Sequence, residues 1–366
     1  MKLGITALNP NQQNIDGIGV YTQNLLSYFA AKHYDIKTIP YQPLSNIPYS
    51  RDAFLPHSLA LASFFTPLGP WFNRNIEKNI DIFHCTNYLI PRFKKIPVVA
   101  TLFDAIMFKH PEWNHDTLLS LKNYLKKRSA QWADHYIAIS HAIIPDLVNY
   151  WGIDEKNISV THLGIAPHWF NSMSEDEKNK VLHKYKLKKN FVLSVGTLQP
   201  RKNISRLIEA YQQLPYELQT EYPLVLVGKN GWQTDELTKT IHQLEEKNVL
   251  RWLTYVPSED LQALYQSAVL FAFPSLSEGF GLPILEAFAS KIPVLTSSTT
   301  SLPEIAGEAA YFIDPYHTED ISHGLFTLLN DPSLCMQLIQ KGHERAQQFS
   351  WDKCAQETDK IYQKLT

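Results

Sequence analysis

The chain has 366 residues, enough for two domains of ordinary size. It carries 34 Lys and Arg against 36 Asp and Glu, and this balance excludes the overall basic field of a nucleic-acid-binding protein. A hydrophobic content of 44% excludes a disordered or fibrous chain, and three widely separated cysteines argue against both a disulfide framework and a cysteine-ligated metal site. The composition indicates a soluble globular protein from a reducing compartment.

The first ten residues, MKLGITALNP, predict a strand that runs into a loop and lack the features of a signal peptide. We therefore expect a cytoplasmic location. The most apolar stretch, residues 54–72, contains three prolines and one glycine, so it is not a continuous spanning helix. It is either a buried helix and loop or an exposed patch that rests on a bilayer surface.

Short apolar runs alternate with segments of helical period along the whole chain, as is typical of parallel α/β proteins. In the first half the pattern predicts helices over 20–32 and 117–133. The strands predicted there cover residues 2–7, 36–39, 80–84, 98–102, 135–139 and 158–161. This half is slightly basic, with 15 Lys and Arg against 12 Asp and Glu in residues 1–165. If one face meets anionic lipid or a phosphate-bearing acceptor, we expect it here.

The second half repeats the scheme after a seam at 165–190 that contains a solvated helix. Its predicted strands cover residues 191–195, 224–227, 249–255, 269–273 and 294–297. We therefore predict an α/β protein with two Rossmann-like domains, residues 1–170 and 185–348. The closing segment, 349–366, has the spacing of an amphipathic helix.

The most informative stretch is FAFPSLSEGFGLPILEAF, residues 271–288. A buried strand ends at Phe273, and a glycine-containing loop leads to a helix whose first turn holds Pro283. Ligands bind at this end of a doubly wound sheet, where helix amides attract phosphate. Glu278 and Glu286 flank the point, and carboxylates suit sugar hydroxyls. The plainer alternative is a glycine-rich turn with Glu286 on a solvated face.

A second signal is SVGTLQPRKN, residues 194–203, directly after the strand that opens the second half. Gly196 permits a tight turn, and Arg201 and Lys202 lie at the expected mouth of the same sheet. Two cations there would neutralise a diphosphate. The alternative is a pair of ordinary surface residues.

A third, weaker signal is Gly17–Ile18–Gly19, between the first strand and the following helix. It lacks the third glycine and the acidic residue of a dinucleotide fingerprint, so we predict no NAD. His84 ends a strand and is more often structural than functional in such a place. The 14 histidines form no H-x-x-x-H or H-E-x-x-H pattern, and we predict no metal site.

These three stretches, in this order, resemble the retaining glycosyltransferases of family four, which have the GT-B fold of two Rossmann-like domains that face each other across a cleft. Glu278 and Glu286 match the E-x(7)-E motif of the family. The resemblance covers nearly the whole chain, including ADHYIAISHAIIPDL, VLSVGTLQPRKN, LVLVGKNGW, YVPSEDLQALYQSA and the segment PSLSEGFGLPILEAFASKIPVLTSSTTSLPEIAGEAA.

The resemblance implies that the second domain binds a nucleotide-activated sugar. Glu278 would contact sugar hydroxyls, Glu286 would hold the ribose, and Arg201 and Lys202 would clamp the diphosphate. The first domain would bind the acceptor, and the final helix would cross back onto it. The remaining residues implied to bind the donor are Gly17, Gly19, Gly196, Thr197, Tyr255, Val256, Gly279, Phe280, Gly281 and Leu282.

The implied reaction keeps the anomeric configuration through same-face attack by the acceptor hydroxyl, without a metal ion or other cofactor. Phe103 stands where many relatives have histidine, and the neighbouring Asp104 is implied to contact acceptor or donor sugar. His110 lies too far along the chain to replace that histidine. Thr197 stands where many relatives have an arginine, whose charge Arg201 would supply. The GT-x(2)-PRKN pattern resembles the mannosyl- and rhamnosyltransferase branch, which points to GDP-mannose.

Three activities stay open on this scaffold. The first is transfer of a sugar to a glycan or lipid-linked acceptor, with peripheral membrane contact through the first domain. The second is an epimerase or a phosphorylase, against which the spacing of Glu278 and Glu286 and the lack of a pyridoxal lysine argue. The third is a degenerate nucleotide-sugar-binding subunit, which Phe103 favours.

Overall fold

The computed structural model describes residues 1–7, 17–40, 74–114, 118–231 and 235–366. The chain divides into two compact units: unit 1 is Met1–Gly164 with Ser350–Thr366, and unit 2 is Ile165–Phe349. The apolar stretch 54–72 lies outside the described residues. Across the described ranges, every helix is too short or too polar to cross a bilayer.

Unit 1 contains a parallel sheet of six strands in the order β2-β1-β3-β4-β5-β6. The strands are β1 Lys2–Ala7, β2 Asp35–Pro40, β3 Ile82–Cys85, β4 Val98–Leu102, β5 His135–Ala138 and β6 Ile158–Val160. The central strands β3 and β4 are buried along their whole length, as expected for apolar strands covered on both faces. The helices of this half are α1 Gly17–Ala31, α2 Arg74–Glu77, α3 Ile106–Lys109, α4 Leu119–Ala130 and α5 Ile144–Asp146.

Unit 2 contains a second parallel sheet of six strands, in the order β12-β11-β10-β7-β8-β9. Its strands are β7 Val192–Val195, β8 Leu224–Val227, β9 Leu250–Leu253, β10 Leu270–Phe273, β11 Val294–Ser297 and β12 Tyr311–Ile313. The helices are α6 Glu175–Tyr185, α7 Ile204–Gln212, α8 Tyr216–Glu221, α9 Asp235–Glu246, α10 Ser258–Ser267, α11 Leu282–Ala289, α12 Leu302–Ala306, α13 Thr318–Asn330 and α14 Pro332–Ala346. The sequence pattern did not predict β12, an edge strand of three residues whose first two are only partly buried.

Local sequence explains where α6 begins and ends. The Ser174 hydroxyl accepts a hydrogen bond from the amide of Glu177, whose carboxylate in turn accepts one from the amide of Ser174. This reciprocal capping starts the helix. Lys186, in the left-handed conformation, ends it. The predicted solvated helix is therefore present at the seam.

The first unit ends at Gly164, whereas the sequence pattern predicts a first domain that extends to residue 170. The segment after Gly164 belongs to unit 2 because it packs on α10. The indole of Trp169 contacts the ring of Tyr265 edge to face at 5.3 Å between centroids. The Gln262 amide donates hydrogen bonds of 2.8 Å to the carbonyls of His168 and Asn171.

The last helix, α15 Trp351–Leu365, belongs to unit 1 and packs against α1. Tyr362 stacks on Phe29 with ring centroids 5.2 Å apart. The backbone of Gly164 passes so close to this helix that a Cβ atom there would lie 2.1 Å from the nitrogen of Trp351. Only glycine fits at this crossing point.

Candidate functional site

The candidate site lies at the carboxyl edge of the unit 2 sheet, where β7 and β10 are hydrogen-bonded neighbours. The loop after β7 carries Arg201 and Lys202, and the loop after β10 carries Glu278. Parallel strands end at the same edge, so two segments about 76 residues apart in sequence meet there.

The three side chains form a compact ionic cluster. Arg201 Nη1 lies 2.7 Å from Glu278 Oε2, and Lys202 Nζ lies 2.5 Å from Glu278 Oε1. The side chains of Lys202 and Glu278 each keep 10% of their exposure, and that of Arg201 keeps 26%. Lys202 Nζ also lies 4.6 Å from the centroid of the Phe273 ring. The cluster is therefore largely desolvated yet open to solvent on the Arg201 side.

Burial and charge act in opposite directions on these groups. Burial by itself would raise the pKa of Glu278, but Arg201 and Lys202 lower it to about 2. Burial lowers the pKa of Lys202 to about 8, helped by the repulsion of Arg201 and opposed by Glu278. The Glu278 carboxyl is therefore fully ionised at neutral pH. Removal of Arg201 or Lys202 would leave the desolvated charge of Glu278 with fewer opposite charges around it.

Asn203 fixes the loop after β7 against the loop after β10. Its backbone is left-handed, with φ of 60°, and its buried side-chain amide donates to the carbonyls of Pro274 at 3.1 Å and Pro315 at 2.7 Å. The amide of Leu276 donates to the Arg201 carbonyl at 2.7 Å. These bonds hold Arg201 in register with Glu278. Asn203 ends the PRKN motif, so the sequence contained a signal for it.

The segment after β11 supports the Glu278 loop from the other side. The Ser301 hydroxyl donates to the carbonyls of Glu278 at 2.9 Å and Phe280 at 2.8 Å. The amide of Glu278 donates to Thr300 Oγ1 at 3.3 Å. Sequence reasoning missed both residues. The run STTS, residues 298–301, directly after a predicted strand, was the available signal.

Glycines let the loops after β7 and β8 pack backbone to backbone. Gly196 and Gly228 both have φ of 153°, which disfavours other residues. A Cβ atom on Gly228 would lie 2.0 Å from the Gly196 carbonyl oxygen, and one on Gly231 would lie 1.8 Å from that of Leu198. A Cβ atom on Gly196 would lie 3.2 Å from Lys202 Cε, so this glycine also leaves room for the lysine. Thr197 follows Gly196 in the same loop and is partly buried.

The predicted loop-to-helix turn is present after Glu278. Gly279 lies in the loop, Phe280 is buried, and Gly281, with φ of 116°, precedes α11. Leu282 and Pro283 form its first turn. The helix begins beside the ionic cluster, at the end that attracts anions.

Glu286 lies one turn into α11, partly buried, and its Oε2 accepts a hydrogen bond of 3.0 Å from the Tyr265 hydroxyl. Burial raises the pKa of Glu286 to about 7, with Tyr265 and Lys202 opposing the rise. This carboxyl therefore titrates close to neutrality, in contrast to Glu278. Tyr265 was not predicted as a site residue, although it lies within the segment YVPSEDLQALYQSA that carries part of the family resemblance.

Tyr255 and Val256 follow β9, the outermost strand of this sheet on the β8 side. The Tyr255 side chain is 54% exposed and Val256 is partly buried. They lie on the predicted edge of the sheet, and β8 separates their strand from β7.

The other predicted residues lie in unit 1. Gly17 and Gly19 occupy the first turn of α1, because the helix begins at Gly17 and not at residue 20 as predicted. The side chain of Asp104 accepts a hydrogen bond of 3.1 Å from the amide of Ile106, at the start of α3. Phe103 is buried and meets Tyr21 edge to face at 5.4 Å between centroids.

Two histidines weighed in the sequence analysis have packing roles. His84 is fully buried between Tyr362, whose hydroxyl lies 2.5 Å from Nδ1, and Thr101, whose hydroxyl lies 2.8 Å from Nε2. Burial lowers its pKa to about 3, so it is neutral. His110 stacks on Trp113 with centroids 3.8 Å apart.

Comparison with known proteins gives the family. Residues 175–345 match the family described as glycosyl transferases group 1, and residues 15–169 match glycosyltransferase family 4. The O-antigen chain mannosyltransferase B of Escherichia coli is 35% identical over 286 residues, which cover 78% of this chain and 74% of that protein. The chain belongs to these glycosyltransferases.

A second relative is also a mannosyltransferase. The serotype-specific mannosyltransferase WbdA of Escherichia coli is 34% identical over 61% of this chain, but the match covers only 28% of WbdA. Solved glycosyltransferase structures share the GT-B fold. WaaG, a glycosyltransferase involved in lipopolysaccharide biosynthesis, has a TM-score of 0.75 at 16% identity and covers 98% of this chain and 99% of its own. Sucrose-phosphate synthase from Thermosynechococcus elongatus has a TM-score of 0.76 at 17% identity. The match covers 100% of this chain and 98% of that structure.

Proposed function

We propose that this glycosyltransferase is a retaining, metal-independent mannosyltransferase that uses GDP-mannose in the synthesis of a surface polysaccharide. The observation that carries the proposal is the cluster of Arg201, Lys202 and Glu278 at the carboxyl edge of the unit 2 sheet. It combines two cations that suit a diphosphate with a carboxylate that suits sugar hydroxyls.

In this proposal the donor diphosphate replaces Glu278 as the ion-pair partner of Arg201 and Lys202. The cations then stabilise the negative charge that develops on the leaving diphosphate, in a site that has little exposure and a low local dielectric. Backbone amides near Phe280–Leu282 assist at the start of α11. Glu278 turns to the hydroxyls of the sugar, and Glu286 holds the ribose. Tyr255 and Val256 lie nearest the base.

The acceptor hydroxyl attacks from the face that the diphosphate leaves, so the anomeric configuration is kept. We assign the acceptor, a glycan or a lipid-linked glycan, to unit 1, with Asp104 as a sugar contact and Gly17 and Gly19 close to the diphosphate. Neither a metal ion nor another cofactor is required, because the two cations supply the positive charge that a metal would otherwise bring. Mannose is favoured by the mannosyltransferase relatives and by the PRKN motif.

Helix α4 supports the further proposal that unit 1 rests on an anionic membrane surface. Its sequence, LSLKNYLKKRSA, contains four cations and no acidic residue. The exposed side chains on and just before it include Leu121 at 53%, Tyr124 at 58% and Leu118 at 57%. Apolar side chains interleaved with exposed Lys127 and Arg128 fit the boundary between anionic headgroups and acyl chains.

Vesicle sedimentation tests the membrane contact. The protein should sediment with vesicles that contain phosphatidylglycerol, and far less with phosphatidylcholine alone. Tyr124→Ser should weaken this binding, and Tyr216→Ser, which removes a tyrosine of 59% exposure from unit 2, should not. Equal binding by both variants would contradict the role of α4.

The donor proposal is tested by thermal shift and by donor hydrolysis with GDP-, UDP-, ADP- and dTDP-sugars in the presence of EDTA. GDP-mannose should stabilise the protein and be hydrolysed slowly, and Lys202→Ala should abolish both effects. Lys341→Ala is the matched control, because Lys341 is 53% exposed and pairs with the exposed Glu308. Proton NMR of the transfer product should show an α-linkage from the α-linked donor. An inverted product, or activity that EDTA abolishes, would overturn the mechanism.

The second candidate is a nucleotide-sugar-binding subunit without turnover. Phe103 favours it, since an aromatic side chain packed on Tyr21 offers no hydrogen bond at the position where many relatives have histidine. This candidate predicts a thermal shift with GDP-mannose but no hydrolysis or transfer, and a Glu278→Ala variant that changes only affinity.

A further inference from the structure

The Tyr265 hydroxyl donates to Glu286 Oε2 over 3.0 Å and is completely buried on α10. Burial and the nearby Glu286 raise the pKa of Tyr265 well above its ordinary value, so the phenol keeps its proton. It therefore acts as a hydrogen-bond donor to this carboxyl at every working pH. Among the described residues, Glu286 Oε1 has no hydrogen-bond partner.

The Tyr265 ring is held from two sides. Trp169 contacts it edge to face at 5.3 Å, and Phe271 of β10 packs at 5.2 Å between centroids. Helix α10 itself is anchored through Gln262, and through Asp260, which accepts hydrogen bonds from Tyr185 at 2.7 Å and Lys184 at 2.6 Å. The Tyr265 hydroxyl consequently has a fixed position, and its hydrogen bond fixes the orientation of the Glu286 carboxyl.

Few charged groups act on Glu286. In the described part of the chain, Lys202 from the loop after β7 acts on it through its charge, and the neutral Tyr265 hydroxyl from α10 acts through its hydrogen bond. Both favour the carboxylate. Burial favours the protonated form and is the larger influence. The balance leaves both forms populated near neutral pH.

We propose that Tyr265 is a positioning residue that orients Glu286, holds Oε2, directs Oε1 toward the donor ribose and favours the ionised carboxyl. This proposal rests on the proposed function, in which Glu286 holds the ribose. Ribose hydroxyls donate most strongly to an ionised acceptor, so donor affinity depends on the fraction of Glu286 that is ionised. Tyr265 thereby links the packing of α10 to nucleotide affinity.

A first test needs no ligand. Carbon-13 NMR of protein labelled at the glutamate side-chain carboxyl identifies the Glu286 signal by its absence in Glu286→Gln. The midpoint of its titration should move upward by about one pH unit in Tyr265→Phe, which removes the donor but keeps the ring. Tyr211→Phe is the matched control: it removes another fully buried hydroxyl of unit 2, bonded to the Gln219 carbonyl at 2.8 Å. An unmoved midpoint in Tyr265→Phe would overturn the proposal.

A second test measures function with GDP and 2′,3′-dideoxy-GDP by calorimetry between pH 5.5 and 8.5, a window of about 1.5 units on either side of the Glu286 midpoint. The advantage of GDP over the dideoxy probe should grow with pH in the native protein. In Tyr265→Phe it should fall roughly fivefold at pH 7 and recover at the highest pH, because the carboxyl then ionises without help. Tyr211→Phe should behave as the native protein does.

The two tests distinguish the ribose role of Glu286 from the positioning role of Tyr265. If GDP and its dideoxy analogue bind equally to the native protein at all pH values, the ribose role of Glu286 is wrong, although the NMR midpoint still reports on Tyr265. If the native protein shows the pH-dependent preference and Tyr265→Phe shows it unchanged, the proposed function stands and the positioning role is wrong.

Discussion

The two units each enclose a cluster of polar side chains, and the two clusters are built differently. In unit 1, His84, Tyr362, Thr101 and Tyr21 are joined by hydrogen bonds, are neutral, and have no exposure. In unit 2, Arg201, Lys202 and Glu278 are ionised and keep between 10% and 26% of their exposure. The first cluster lies between β3, β4, α1 and α15, and the second lies at the carboxyl edge of a sheet.

This difference distinguishes a structural polar cluster from the cluster proposed to bind the donor. The neutral groups of the unit 1 cluster pair with each other in the interior. Their hydrogen bonds stabilise the attachment of α15, and their polar atoms are not available to bind a ligand. Opposite charges at the open edge of a sheet are mutually satisfied in the ligand-free protein, but a diphosphate and a sugar offer the same kinds of partners. Of these two clusters, the one in unit 2 is therefore the one in which a ligand can replace the existing partners.

The largest expected effect is on Glu278. Glu278→Gln keeps the shape of the side chain but removes its charge, so kcat for the proposed mannosyl transfer should fall by about 100- to 1000-fold. Affinity for GDP should be kept or increase, because Arg201 and Lys202 are no longer held by a carboxylate. Initial rates and calorimetry check this. Glu308→Gln, at a side chain of 91% exposure, is the control, and a parallel loss of rate and GDP affinity would contradict the comparison.

The corresponding change in unit 1 should affect stability alone. Tyr362→Phe leaves His84 Nδ1 buried without its partner, and we expect the free energy of unfolding to fall by about 1–3 kcal/mol. Urea denaturation measures this loss, and Tyr316→Phe, at a tyrosine of 54% exposure, should leave it unchanged. A weakened affinity for GDP in Tyr362→Phe would show that the two clusters are not separate in role.

Acid should act on the two units in opposite directions. His84, with its pKa lowered to about 3, stays neutral when folded but takes a proton when unfolded below about 6.5, so its contribution to stability is lost as pH falls below 6.5. Glu286, with its pKa raised to about 7, binds its proton more tightly when folded, so its contribution is lost as pH rises from 4.5 to 7. In the native protein these two dependences partly cancel.

Glu286→Gln removes one of them. The urea midpoint of this variant should fall more steeply between pH 7 and pH 5 than that of the native protein, by an amount that corresponds to about 1 kcal/mol per pH unit. Denaturation series at matched pH values test this. Parallel profiles would show that Glu286 titrates near its ordinary pKa.

The smallest effects concern two glycines predicted to bind the donor. Gly196→Ala should destabilise unit 2 and weaken GDP binding, because φ is 153° and the new methyl meets Lys202. Gly17→Ala should stabilise unit 1 by less than about 1 kcal/mol, since Gly17 is the first residue of α1 and a Cβ atom there meets no atom of the described residues within 4 Å. Thermal denaturation and calorimetry test both. A loss of GDP affinity in the stabilised Gly17→Ala protein would support contact between Gly17 and the diphosphate, and unchanged affinity would argue against it.

The sequence alone was enough to predict the parallel α/β class, the eleven strands β1 to β11 and the residues of the ionic cluster. Apolar runs of four to six residues and glycine-rich turns are local properties, so β4, β8 and β11 were predicted with their observed ends. β12, an edge strand of three residues, was not predicted, although β6, of the same length and also at a sheet edge, was. The start of α1 was placed three residues late because glycines were interpreted as a loop.

What the sequence by itself determined is therefore the order of elements and the chemistry available at the ends of β7 and β10. Only the tertiary structure decided which groups meet: that Glu278 pairs with both cations, that Tyr265 donates to Glu286, that Ser301 and Thr300 brace the Glu278 loop, and that His84 is satisfied by Tyr362. The reason is physical. Strand and helix signals are read within about ten neighbouring residues, whereas pairing and desolvation depend on segments that come together only when the sheet forms.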